Sequence, residues 1–130
     1  MEFKEVKYEN SIHIYCLVEE DNKKLVKGVS ECSLYETSTP FNSIERVYYF
    51  NRIFVNPKYR NQGIGKELLL RMLDCVMKYN YPICCDINPY GDLTYEQLRN
   101  WYMSFGFKEY DVEFNGVKYK QLWFNLKESV

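Results

Sequence analysis

A chain of 130 residues makes one domain, residues 1–130, long enough to bury a core, and 46% apolar with 27% charged residues is ordinary globular composition. The formal net charge is −1 and there is no Lys/Arg block, so nothing advertises a nucleic-acid or anionic-membrane partner. Met1 to Glu5 is charged and lacks an apolar h-region, and no apolar run reaches membrane-spanning length, so the expected location is the cytoplasm.

The five cysteines are Cys16, Cys32, Cys75, Cys84 and Cys85. Their odd number and the lack of any C-x-x-C pair argue for reduced, mostly buried thiols, and against a metal site or a disulfide framework. The single histidine, His13, sits in an alternating apolar run and reads as a strand residue.

In chain order, Phe3 to Tyr8 reads as a short edge strand. Ile12 to Val18 and Leu25 to Tyr35 form a hairpin about Asp21-Asn22-Lys23-Lys24. Ser38 to Ser43 is a loop. Val47 to Val55 is β-branched or aromatic at nearly every position, as a central strand covered on both faces should be. The period then changes. Ile64, Leu68, Met72 and Val76 recur every fourth residue, an amphipathic helix to about Tyr79.

Ile83 to Ile87 is a short buried strand. Strand, helix and strand make a βαβ unit, which sets Val47–Val55 parallel to Ile83–Ile87. Asn88 to Asp92 is a loop. Thr94 with Gln97 matches a capping box and opens a helix that stops near Phe105, before Gly106. Phe107 to Phe114 and Val117 to Leu126 are strands joined by the hairpin signal Asn115-Gly116. The sum is a mixed α/β sheet.

The chemistry concentrates between the central strand and the first helix. Val55-Asn56-Pro57-Lys58-Tyr59-Arg60-Asn61-Gln62-Gly63-Ile64-Gly65-Lys66 puts two glycines at a helix start. A helix N-terminus offers unpaired N–H groups and the positive end of a dipole. Glycine lets an anion approach that backbone closely, and Arg60 adds a permanently charged planar donor. Together they form a phosphate or diphosphate cradle. A P-loop is excluded, because Glu67 follows Gly65-Lys66 and Arg60 occupies the early glycine position. A dinucleotide fingerprint is excluded because Leu68 replaces its third glycine.

Val55-x-Pro57-x-Tyr59-Arg60-x-x-Gly63-x-Gly65, followed by Glu67-Leu68-Leu69, resembles the coenzyme A loop of the GNAT superfamily of N-acetyltransferases. Trp101-Tyr102-Met103-Ser104-Phe105-Gly106-Phe107 resembles that family's late aromatic-Tyr-x-x-x-Gly-Phe segment. The likeness runs roughly from Leu25 to Phe124. It implies a mostly antiparallel sheet with one central parallel pair splayed around coenzyme A and helices on both faces. The family's N-terminal helices would be shortened or absent here, for want of room between Phe3 and Val18.

The resemblance also implies roles. Arg60, Asn61, Gln62, Gly63, Ile64, Gly65 and Lys66 would hold the diphosphate, and Phe54 and Val55 the pantetheine arm. The Ile53 backbone N–H would polarise the acetyl carbonyl. Tyr102 would protonate the leaving thiolate: a thiol titrates near about 8.5 and a phenol near about 10, so the match is close. Where other members carry a glutamate on the central strand, this chain has Tyr49. Tyr49 and Glu31 mark the base region, with Glu45 or a water chain as further routes. Tyr95 stands where many members have a coenzyme-binding asparagine.

The implied reaction is acetyl transfer from acetyl-CoA, without a metal, to a primary amine that attacks the thioester directly. The alternative is a non-catalytic coenzyme A-binding module of the same fold, and a third is a domain for another nucleotide. The short amino terminus implies an open acceptor groove between the Tyr35–Glu45 segment and the Phe114–Val117 hairpin. That groove suits a protein tail, or a small amine enclosed by a second subunit of a homodimer.

Overall fold

Turn chemistry sets the topology. Asp21 and Asn22 take φ of 52° and 62°, and Asn115 and Gly116 take 51° and 79°. Two successive left-handed residues make the tight turn that matches the twist of the strands on either side. The computed structural model describes residues 2–87 and 93–127. The expected loop Asn88 to Asp92 lies outside them.

Strands β1 (Glu2–Tyr8), β2 (Ser11–Glu20), β3 (Lys23–Ser38), β4 (Ile44–Val55), β5 (Ile83–Cys85), β6 (Lys108–Phe114) and β7 (Val117–Phe124) form one seven-stranded sheet in the order β1-β2-β3-β4-β5-β7-β6. Helix α1 (Ile64–Lys78) joins β4 to β5, and α2 (Tyr95–Met103) precedes β6. All neighbours are antiparallel except β4 and β5. The sheet is the mixed, mostly antiparallel one expected, with one parallel pair.

Two strands outrun their sequence signals. β3 continues to Ser38 and β4 begins at Ile44, because Glu36, Thr37 and Ser38 pair with Arg46, Glu45 and Ile44. Ladder bonds there override the weak strand preference of charged residues. β5 is shorter than expected. It pairs with β4 only at Tyr48↔Ile83 and Tyr49↔Cys84, then ends at Cys85.

Helix α1 lies close on the sheet because its neighbours there are small. A Cβ at Gly28 would stand 2.9 Å from the Phe54 carbonyl oxygen and 3.0 Å from Leu68 Cδ1. Ser30, fully buried, donates to the Leu68 carbonyl at 3.3 Å. Leu68, Leu69, Met72 and Val76 are wholly buried, as the four-residue spacing requires. α2 starts on a complete capping box, with Thr94 and Gln97 each accepting from the other's backbone N–H.

Helices were expected on both faces. Among the described residues, Tyr102 of α2 and the apolar stripe of α1 enter the same core cluster, so both helices flank one face. The opposite face carries a small cluster of Val47, Cys84 and Trp123. No N-terminal helix lies between β1 and β2 to cover it. All five cysteines are buried and free. No described helix is long and apolar enough to cross a membrane.

Candidate active site

Strand β4 changes phase once. Cys32 faces Phe50 and Glu31 faces Arg52, so Asn51 is an extra residue, a β-bulge. Before it, Tyr48 and Phe50 point into the helix-side cluster; after it, Ile53 and Val55 do. The bulge lies where β5 stops pairing, so β4 continues for several residues beyond its parallel neighbour.

Beyond β4 the chain makes a short 3-10 turn at Pro57–Tyr59, capped by the Asn56 side chain, which accepts from the Lys58 N–H at 3.1 Å. The buried Tyr59 anchors this loop: its hydroxyl donates to Glu20 at 3.2 Å and Lys27 Nζ stands 4.5 Å above its ring. Arg60 Nε donates to the Val55 carbonyl at 3.1 Å, which fixes the guanidinium at the end of β4.

Asn61 and Gly63 take positive φ, 65° and 78°. Gly63 is the N-cap of α1, and no side chain caps the helix. The helix therefore opens with backbone N–H groups that no capping side chain satisfies. A Cβ at Gly63 would meet nothing within 4 Å, and one at Gly65 would meet Val55 at 3.7 Å. Asn61, Gln62, Gly63 and Lys66 are exposed, Gly65 is half-buried, and Ile64 is buried beneath them. This is an open cradle of amide donors and glycine surface, an arrangement that can accept an anion.

Tyr102, 8% exposed, packs edge-on against Phe50, with ring centroids 6.3 Å apart, and against Trp101 and Phe107. Phe50 follows the last parallel pair directly, so Tyr102 flanks the opening between β4 and β5 from the helix side. Tyr95 is exposed at the start of α2.

The helix-free face holds a groove of about 1160 Å³, lined among others by Tyr35, Thr39, Tyr49, Asp86, Phe114, Tyr119 and Trp123. It runs between the segment after β3 and the β6–β7 hairpin, the two borders expected.

In its floor Tyr49 donates to Asp86 Oδ2 at 2.6 Å, Gln121 donates to Asp86 Oδ1 at 3.1 Å, and Trp123 Nε1 donates to Gln121 Oε1 at 2.9 Å. Burial first, then the bond to Asp86, raises the Tyr49 phenol far above its usual range. Tyr49 is thus a hydrogen-bond donor to the Asp86 carboxylate, its hydroxyl proton already engaged there.

Glu31 is held by Arg52 through two bonds of 3.2 and 3.3 Å, with His13 Nδ1 at 3.6 Å, and it does not line the groove. Glu45 accepts from Ser43 at 3.3 Å on the exposed start of β4. Sequence reasoning missed Asp86. Its signal was a carboxylate directly after a buried strand, and its partners are 35 and 37 residues away.

A family model described as "Acetyltransferase (GNAT) domain" matches residues 11–109. The chain belongs to the GNAT acetyltransferases, a family of acyl transfer from acetyl-CoA. No curated protein sequence matches it significantly.

Among solved structures, the KacTA–DNA complex matches at 13% identity and a TM-score of 0.67, over 91% of this chain and 69% of that one. AAC(6')-Iy, solved in complex with the bisubstrate analogue CoA-S-monomethyl-acetylneamine, matches at 16% and 0.59, over 82% and 68%. The anti-CRISPR protein AcrVA5 matches at 19% and 0.54, over 86% and 97%. At these identities the likeness is one of fold. Because one of these structures includes DNA, the fold by itself does not exclude nucleic acid, and the charge argument stands without support from it.

Proposed function

We propose that this protein transfers an acetyl group from acetyl-CoA to a primary amine by direct attack on the thioester. The observation that carries the reading is the uncapped start of α1 at Gly63, opening beside the end of β4 where β5 no longer pairs. Amides 64 to 66 and the Arg60 guanidinium bind the diphosphate. Phe54 and Val55 hold the pantetheine arm in the strand opening.

Backbone direction follows side-chain face along a strand. Tyr48, facing the helices, donates its N–H to the Pro82 carbonyl on the β5 side at 2.9 Å. Past the bulge Ile53 takes the helix-facing phase, so its amide aims toward that same side, where the acetyl carbonyl is polarised. The amine forms its bond to the carbonyl carbon as the carbon–sulfur bond breaks. An ammonium acceptor gives up two protons overall: one goes to solvent, and one balances the proton that Tyr102 gives the sulfur. In cells the reaction is a cytoplasmic one.

Two variants test this. Gly63→Asp sets a carboxylate in open space within the cradle, and aspartate tolerates the left-handed backbone. Acetyl-CoA affinity by calorimetry should fall at least about 100-fold, or about 2.7 kcal/mol. Unchanged affinity removes the diphosphate site. Tyr102→Phe should lower kcat by about 10²-fold or more at unchanged acetyl-CoA affinity. A fully active Tyr102→Phe enzyme removes the general acid. Firm acetyl-CoA binding with no turnover of any amine would identify the non-catalytic module.

A further inference from the structure

The carboxylates of the groove differ in their company. Asp111 is matched by Lys120 at 2.8 Å, and Glu113 stands exposed on β6. Asp86 is half-buried in the floor, and among the described residues no Lys, Arg or His pairs with it. Among the described residues, the other half-buried carboxylates that accept two side-chain hydrogen bonds, Glu31 and Glu109, each take both from an arginine fork.

The donors on Asp86 are neutral and cannot be reversed. The Trp123 indole N–H can only donate, so it takes the Gln121 carbonyl and turns the amide NH₂ toward Asp86. Tyr49 keeps its proton and donates as well. An ionised carboxylate has about four lone-pair sites, and these two bonds leave about half of them for the groove. A half-buried anion without a counter-cation, fixed in place by two donors, is a receptor for a cation.

We propose that Asp86 anchors the acceptor as an alkylammonium, a primary amine on an unbranched chain, with Tyr49 and Gln121 as its positioning residues. This deepens the acetyltransferase reading and rests on it for the fate of the bound amine. The placement suits that role. Asp86 follows the last residue of β5, at the point where the sheet opens, and Tyr102 flanks the same opening from the other face. The carboxylate and the phenol stand on opposite faces of the sheet with the opening between them. The walls suit an aliphatic stem, since Tyr119, Tyr35 and Phe114 expose ring surface along the groove.

The test uses two probes that carry the same ammonium, 1,5-diaminopentane and a capped glycine-lysine-glycine peptide, against wild type, Asp86→Asn and Tyr49→Phe. Losing one charged hydrogen bond predicts a rise in amine KM of about 10- to 100-fold in Asp86→Asn. Tyr49→Phe should move it the same way by a few-fold, about 3. Acetyl-CoA KM and the melting temperature should hold in both, which separates loss of the anchor from loss of the fold. Comparing kcat/KM for the two probes tells a free amine from a lysine side chain as the source.

Unchanged amine KM in Asp86→Asn overturns the anchor. Turnover is backed by calorimetric titration of each probe. Heat seen with wild type and lost in Asp86→Asn upholds the anchor even if no acetyl transfer occurs, and in that case the transfer reading alone fails. Absence of binding and turnover with both probes on wild type overturns the anchor.

Discussion

The two faces of the sheet are built on different terms. One face is sealed by α1 and α2 over a large core in which Leu68, Leu69, Met72 and Val76 lose all contact with solvent. The other has three buried core residues and a groove walled by tyrosines, carboxylates and two loops. The large core lies on the first face and the groove proposed for the acceptor on the second, with the opening between β4 and β5 connecting them. A substitution should therefore announce its face by what it changes.

The largest effect belongs to the sealed face. Leu68→Ala removes a wholly buried side chain over Gly28, and should destabilise the protein by about 2–5 kcal/mol in denaturant melts. A loss under about 1 kcal/mol would mean that the helix layer is loosely packed and the contrast false.

Alkali tests both faces at once. Burial pushes the Cys32 thiol under α1 and the Cys84 thiol in the groove floor each up to about 12, from 9.0 when solvated. A raised folded pKa favours the protonated thiol. That contribution is complete below pH 9 and is lost as pH rises through 12. Each thiol should take away about 1.4 kcal/mol per pH unit across that window. Cys32→Ala and Cys84→Ala should each flatten the decline of stability with pH. If only Cys32→Ala does so, the groove floor is wetter than the helix side.

The smallest effect on stability is expected at the groove rim. Phe114 is 67% exposed at the hairpin. Phe114→Ser should change stability by no more than about 0.5 kcal/mol. It should still raise the KM of a long amine while leaving that of acetyl-CoA alone. A large loss of stability would place Phe114 in the structural core of the hairpin and blur the division between faces.

The same division explains what could be read from the chain. α1, its glycine start and the Thr94 cap are local: their periodicity, φ demands and side-chain caps act within a few residues, so the helix side was legible. β4 was legible in type but not in phase, since the Asn51 bulge is fixed by its pairing with β3 and by no residue of β4 alone. The groove was legible as two borders and a missing layer. Its floor was not, because Tyr49, Asp86 and Gln121 meet only when β4, β5 and β7 lie side by side. Reading Tyr49 and Glu31 as the base region found one partner of the floor and one arginine-bound neighbour outside it.

The bulge at Asn51 has a consequence for how the strand tolerates change. β4 is two short strands written in opposite reading frames, with Asn51 as the frameshift between them. Pairing Asn51 regularly, without the bulge, would bring Ile53 and Val55 to the groove side, with Arg52 and Phe54 turned toward α1, whereas deleting it would leave Ile53 and Val55 in phase with Tyr48 and Phe50. The bulge, not the side chain at position 51, keeps the far end of β4 facing the same way as its start.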